Sequence, residues 1–195
     1  RQNACSNMIK LTAVRHGESL GNVKNVIDDN SSPETDTNGL SEKGKLQAVE
    51  VAKNLSGYNF DLVILSPLKR TKETLEPYLK DKKIKVIYSE LTLERNAGVF
   101  AGKPKEAIKE YCLTNNITNR VNFKPQNGES ITEVYQRAQK FLVYLKEYFP
   151  GKAILMCGHV NFLSCLEFVI NNKHLDNFYS YESIKNGEIK EYIID

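Results

Sequence analysis

Short apolar runs of strand length recur along this chain between longer stretches of helical periodicity, and that alternation limits the possible folds more than any other feature. Residues 9–14, 61–65, 84–88 and 153–157 are the apolar runs. Between them, residues 41–55 have helical spacing, with Leu46, Val49 and Ala52 expected on one face. A helix to about Leu79 is expected to open at Ser66-Pro67, with Ser66 as the cap and Pro67 at the first helical position. Pro104 is expected to open a helix reaching about Leu113. Ser130-Ile131-Thr132-Glu133 is a capping box leading into a long helix with Val134, Ala138, Phe141, Leu142 and Leu145 on its apolar face. Residues 161–170 form another helical run. Buried apolar strands alternating with helices imply a mostly parallel sheet with helices on both faces, a three-layer α/β sandwich. At the C-terminus, residues 179–184 and 189–194 flank Asn186-Gly187, a strong turn signal, so a hairpin is expected at the sheet edge.

The length of 195 residues suits one domain, expected over residues 9–195 and preceded by residues 1–8 as an N-terminal extension. Arg1 to Asn7 is polar and lacks the apolar stretch of a secretory signal. With 27 basic against 24 acidic residues and no Lys/Arg block, the charge balance is too even to announce nucleic-acid binding. No apolar run approaches the ~20 residues that a membrane helix needs. The four cysteines, Cys5, Cys112, Cys157 and Cys165, have neither disulfide-scaffold density nor zinc-site spacing. Free thiols in a reducing compartment, and hence a cytoplasmic protein, are expected.

In open parallel sheets, ligands sit at the carboxyl ends of the strands. Arg15-His16-Gly17-Glu18 follows the first strand, Ser66-Pro67-Leu68-Lys69-Arg70 the second, and Gly158-His159 the run 153–157. Taken singly, each is also what a structural histidine or a surface arginine would produce. Together they place four cation-capable groups on one sheet edge, where self-repulsion calls for a compensating anion. Arginine grips phosphate oxygens through paired N–H bonds, and an imidazole can attack phosphorus. His174, beside Lys173, fits no such pattern and reads as a surface residue.

These residues resemble the histidine phosphatase superfamily, also called the phosphoglycerate mutase-like family, over about residues 9–193. The resemblance is carried by Arg15-His16-Gly17-Glu18-Ser19 with Asn22, Leu40-Ser41-Glu42-Lys43-Gly44 with Gln47-Ala48, and Ser66-Pro67-Leu68-Lys69-Arg70-Thr71 with Glu73-Thr74. Leu93-Glu94-Arg95 with Gly98 and Gly102, then Gly128-Glu129-Ser130 and His159, complete it. It implies His16 as a nucleophile that becomes phosphohistidine, and Arg15, Arg70 and His159 as the phosphate pocket. Asn22 and Gly17 are implied as further substrate-binding residues, and Glu94 as the proton donor to the leaving alkoxide. Without the resemblance, Glu94 reads as an exposed carboxylate paired with Arg95. The family usually has Gly after its second histidine, whereas Val160 follows His159 here. A β-branched residue resists φ > 0, so a different loop path is expected at that point.

The family divides into phosphatases, which give phosphohistidine to water, and mutases, which return it to a second substrate oxygen. Only 129 − 94 = 35 positions separate Glu94 from Glu129, and Asn96-Ala97 stands where mutases tend to have His-Tyr. Both features favour a phosphatase over a mutase; the expected activity is metal-independent hydrolysis of small phosphate esters, with no cofactor. Residues 98–103 resemble bisphosphatase-type members acting on sugar phosphates. Arg95, Lys103, Arg120 and Lys124 read first as solvated surface charges, and otherwise as candidates for gripping a second anionic group. Mutase-type transfer is the alternative, and a non-catalytic phospholigand-binding protein the second. A metal hydrolase lacks the His-x-x-x-His spacing of a ligand cluster. The expected partner is a small phosphorylated substrate, with neither nucleic acid nor membrane, and the oligomeric state is left open.

Overall fold

The computed structural model describes residues 7–28 and 35–195. Cys5, most of the expected N-terminal extension and the middle of the polar loop between Asp28 and Asn38 lie outside the described residues. Five strands form one sheet in the order β3-β2-β4-β1-β5. They are β1 (Ile9–Arg15), β2 (Leu62–Leu65), β3 (Lys85–Tyr88), β4 (Ala153–Gly158) and β5 (Ile189–Ile194). The β3-β2, β2-β4 and β4-β1 pairings are parallel, and β5 runs antiparallel beside β1.

Side chains alternate across the pleat, so each central strand feeds two cores. Ile9, Leu11 and Ala13 of β1 and Ile154 and Met156 of β4 face helices α5 (Ile131–Tyr148) and α6 (Val160–Ile170). Val14, Val63, Leu65, Leu155 and Cys157 face α2 (Glu42–Asn54) and α3 (Lys69–Leu79). The arrangement is the expected three-layer sandwich. A short helix α1 (Leu20–Val23) follows β1, and α4 (Ala107–Thr114) stands over a small separate cluster of Ala97, Phe100, Ile108 and Cys112. The expected capping box is present: Ser130 Oγ accepts from Glu133 N while the Glu133 carboxylate accepts from Ser130 N. Val134, Ala138, Phe141 and Leu145 are fully buried behind it. Among the described residues, no helix is long and apolar enough to cross a membrane.

Three expectations are corrected. Leu46 and Val49 are 72% and 45% exposed, and α2 instead buries Gly44, Ala48 and Val51. Both stripes have helical spacing, but only the one through Gly44 lets the helix approach the loop after β1: a Cβ there would lie 2.1 Å from Glu18 O. Ser66 does not cap α3, which begins after Leu68, so Pro67 lies outside the helix. Asp36 Oδ2 accepts from Lys69 N at 2.7 Å in its place. Finally, the C-terminal hairpin is not formed. Residues Leu175–Ser180 make a 3-10 turn, and β5 pairs with β1, whose edge offers a longer apolar partner than residues 179–184 do. The Asn186-Gly187 turn, with Gly187 at φ +73°, exists and turns the chain into β5.

Candidate active site

β1, β2 and β4 deliver their C-terminal ends to one edge, and there the three loops meet. His16 N donates to Gly158 O at 3.1 Å, which prolongs the β1-β4 ladder by one residue. The His16 and His159 rings are 5.2 Å apart, and both residues are buried. His16 Nδ1 lies 2.7 Å from Gly17 O. A carbonyl only accepts, so Nδ1 carries the proton and Nε2 keeps its lone pair. Burial, then Arg70, then Arg15, hold the His16 pKa well below the ordinary histidine value, so the ring is neutral near pH 7. His159 is likewise lowered, by burial first and Arg70 second. Its Nε2 lies 2.8 Å from Ser66 Oγ, and its Nδ1 is buried without a hydrogen-bond partner among the described residues. The serine expected to cap a helix therefore orients an imidazole.

Arg70, in the first turn of α3, is fully buried, and its Nε, Nη1 and Nη2 find no hydrogen-bond partner among the described residues. Asp28 Oδ2 stands 3.8 Å from Nε. A buried guanidinium left unpaired is costly, and an oxyanion is the group that satisfies its fork of donors. Arg15 is anchored by Nη1 donating to Ile184 O at 2.8 Å, while its Nε is buried and unpartnered.

Arg15, His16, Asn22, Glu94 and Arg95 line a cavity of about 240 Å³. Pockets for drug-sized ligands start at roughly 300 Å³, so this one suits a small molecule. Glu94 is buried, and its Oε1 accepts from Arg95 N at 2.8 Å and from Asn161 N, in the first turn of α6, at 3.1 Å. The Arg95 side chain turns away from it and donates to Glu129 O and Phe123 O. The side-chain pair of Glu94 with Arg95 is thus not formed. Val160 is the first residue of α6 and is not among the positive-φ residues, so no left-handed residue follows His159. Gly17 does not turn its N–H to the cavity; it donates to Thr74 Oγ1 at 3.0 Å, and a Cβ on Gly17 would lie 2.6 Å from Gly44 O. That close approach explains its side-chain requirement.

Of the four candidates for a second anionic group, Arg95 and Arg120 line the cavity. Lys124 pairs with Glu133 at 2.6 Å, and Lys103 lies over the Phe100 ring. Lys105 and Lys109, which the motifs did not single out, line the cavity too. Arg137 also went unnoticed in the sequence. It donates to the carbonyls of Leu91, Leu93 and Glu94 and to both Glu129 oxygens, which fixes the loop bearing Glu94. The available signal was an arginine bordering the apolar stripe of α5. Among the described residues, no group of three or more His, Cys, Asp or Glu is gathered for a metal ion.

Comparison with known proteins gives the family. Phosphoserine phosphatase 1 of Hydrogenobacter thermophilus is 28% identical over 183 residues, spanning 89% of this chain and 82% of the relative. A 2,3-bisphosphoglycerate-dependent phosphoglycerate mutase of Bartonella henselae is 26% identical over 184 residues, 88% and 86% of the two chains. The crystal structure of the alpha-ribazole phosphatase from Shigella flexneri superposes with a TM-score of 0.79 at 23% identity, over 93% of this chain and 89% of that one. This last likeness shows the shared fold. The family described as histidine phosphatase superfamily (branch 1) matches residues 11–195, and the chain belongs to that family of enzymes.

Proposed function

We propose that residues 9–195 act as one catalytic domain, a phosphatase that hydrolyses small phosphate monoesters through a phosphohistidine on His16. The observation that carries the reading is the neutral His16, its Nδ1–H tied to Gly17 O, beside the buried guanidinium of Arg70, whose nitrogens have no hydrogen-bond partner among the described residues. His16 Nε2 attacks phosphorus while the ester P–O bond breaks, and Glu94 serves as the acid that gives a proton to the departing alkoxide. Glu94 then takes a proton from water as that water attacks the phosphohistidine, which releases inorganic phosphate and restores His16. Arg15, Arg70, His159 and Asn22 hold the phosphoryl oxygens. Such phosphoryl transfer depends mainly on positioning and charge stabilisation, and this cationic set supplies the charge without a divalent ion. The exposed Lys105 and Lys109, with Arg95 and Arg120, make the rest of the cavity basic, which favours a sugar phosphate or bisphosphate.

The mutase relatives support phosphoryl return to a second substrate oxygen as the other reading. The buried cysteines Cys112, Cys157 and Cys165 are free thiols, which is in keeping with a cytoplasmic protein.

The decisive experiment follows release of inorganic phosphate from a panel of small phosphate esters, in excess chelator, with and without 2,3-bisphosphoglycerate. Turnover that chelator leaves intact, an acid-labile label on His16, and its loss in His16→Ala are expected. A label on serine, or full activity in His16→Ala, refutes the mechanism. Interconversion of phosphoglycerate isomers that needs 2,3-bisphosphoglycerate and releases no inorganic phosphate selects the mutase reading, and ligand binding without turnover selects the non-catalytic one.

A further inference from the structure

The segment after the 3-10 turn does more than lead into β5. It wraps the strand end that carries the nucleophile: Arg15 Nη1 donates to Ile184 O, Gly187 N donates to Arg15 O, and Arg15 N donates to Glu188 O. In the middle of this wrap stands Asn186, half-buried. Its Nδ2 lies 3.0 Å from His16 O and 3.1 Å from Asn22 Oδ1.

Donor and acceptor chemistry orients both amides. His16 O only accepts, so the atom of Asn186 facing it is the NH₂ group, and its two hydrogens serve the two acceptors. On the other side, Asn22 Oδ1 also accepts from Ser19 N at 3.2 Å. With a backbone N–H and the Asn186 amide both pointing at it, that atom of Asn22 must be the oxygen. The Asn22 NH₂ group is then left to face Asp28 Oδ2 at 3.5 Å, in the wall of the cavity. A flipped Asn22 would set its NH₂ against two donors and present an oxygen to an incoming phosphoryl group.

We infer that Asn186 is a positioning residue for phosphoryl transfer: its amide fixes the flip state of Asn22, so that Asn22 offers a donor, and holds the carbonyl of the nucleophile His16. The inference rests on the reading of His16 as nucleophile.

The test is a double-mutant cycle on kcat/KM with p-nitrophenyl phosphate, using Asn186→Ala, Asn22→Ala and the double variant, with phosphoenzyme labelling of the wild type as a separate measurement. Asn186→Ala is expected to lose roughly 10- to 100-fold in kcat/KM, as two hydrogen bonds and the set of one oxyanion donor are lost. In the Asn22→Ala background the same change is expected to cost at least threefold less, because part of its effect has already gone. The isosteric Asn186→Asp turns acceptors toward His16 O and Asn22 Oδ1, and is expected to cost more than alanine. It also keeps the test open if the alanine variant does not fold. A merely structural role would lower stability yet give equal fold-losses in both backgrounds. Equal losses, or wild-type kcat/KM in Asn186→Asp, overturn the inference while leaving His16 labelling intact. An unlabelled wild-type His16 overturns the underlying reading instead.

Discussion

Arg70→Met separates what the fold requires from what phosphate binding requires. Methionine keeps most of the apolar stem and removes the charge, whose three nitrogens are buried and unpartnered among the described residues. Removing one partner of a buried ion pair normally destabilises, because the other charge is orphaned. Here the pair is loose, 3.8 Å from Arg70 Nε to Asp28 Oδ2. Asp28 keeps the Asn38 Nδ2 donor at 2.8 Å and the Ser19 hydroxyl at 3.3 Å. Relief of a buried guanidinium without hydrogen-bond partners therefore wins. Replacing a whole buried ion pair with apolar side chains is worth about 1–4 kcal/mol; only one partner is replaced here and Asp28 stays, so the expected gain is about 1–3 kcal/mol. At roughly 2–4 °C per kcal/mol for a chain of this size, the melting temperature in phosphate-free buffer should rise by roughly 2–12 °C. At the same time kcat/KM should fall by at least about 100- to 1000-fold, the cost of deleting one oxyanion donor. Calorimetry with and without inorganic phosphate at pH 7.5 completes the assay. Phosphate should raise the wild-type melting temperature through binding linkage, and leave that of the variant unchanged. A variant that melts lower and still responds to phosphate would show that Arg70 is a structural partner of Asp28, and would refute the reasoning.

Further outcomes follow from the same geometry. Glu94→Gln should slow hydrolysis of alkyl phosphates by roughly 100- to 10,000-fold, and that of p-nitrophenyl phosphate, whose leaving group needs little protonation, far less. Equal slowing on both would mean that Glu94 positions and does not protonate. Arg137→Lys should lose the forked grip on Leu93 O, Glu94 O and Glu129, and reduce alkyl-ester turnover by roughly tenfold or more through misplacement of Glu94; unchanged kinetics would sever Arg137 from the site. Because His16 and His159 are depressed in the folded state, the unfolded chain takes up protons first as pH falls through 6.5. Stability should hold above that pH and decline below it, by at most about 1.4 kcal/mol per pH unit for each histidine. Melting scans from pH 7.5 to 5.0 check this, and a flat profile would contradict the burial of both rings.

Layering and the site edge were both legible in the chain. A strand that is buried on both faces must be apolar throughout, and a helix must place its apolar residues every third or fourth position, so residues 62–65 and 131–148 declare their types locally. The rule that parallel strands gather ligands at their carboxyl ends then brings Arg15, His16, Arg70 and His159 together before any coordinate is known. Glu94 was legible only through the motif around it, since nothing local distinguishes it from a surface carboxylate. What tertiary structure alone decided are the choices between locally equivalent options. Two stripes of α2 have helical period, and close packing of Gly44 on Glu18 O selected one. Ser66 has a capping residue's chemistry, but its hydroxyl went to His159, a partner 93 positions away, while Asp36 supplied an acceptor to α3. The Asn186-Gly187 turn is locally a hairpin turn, yet its strand joined β1, and its asparagine came to rest on His16 and Asn22. Local propensity sets which backbone shapes are available. Which donor meets which acceptor depends on packing across long sequence separations, and that information is in no single segment of the chain.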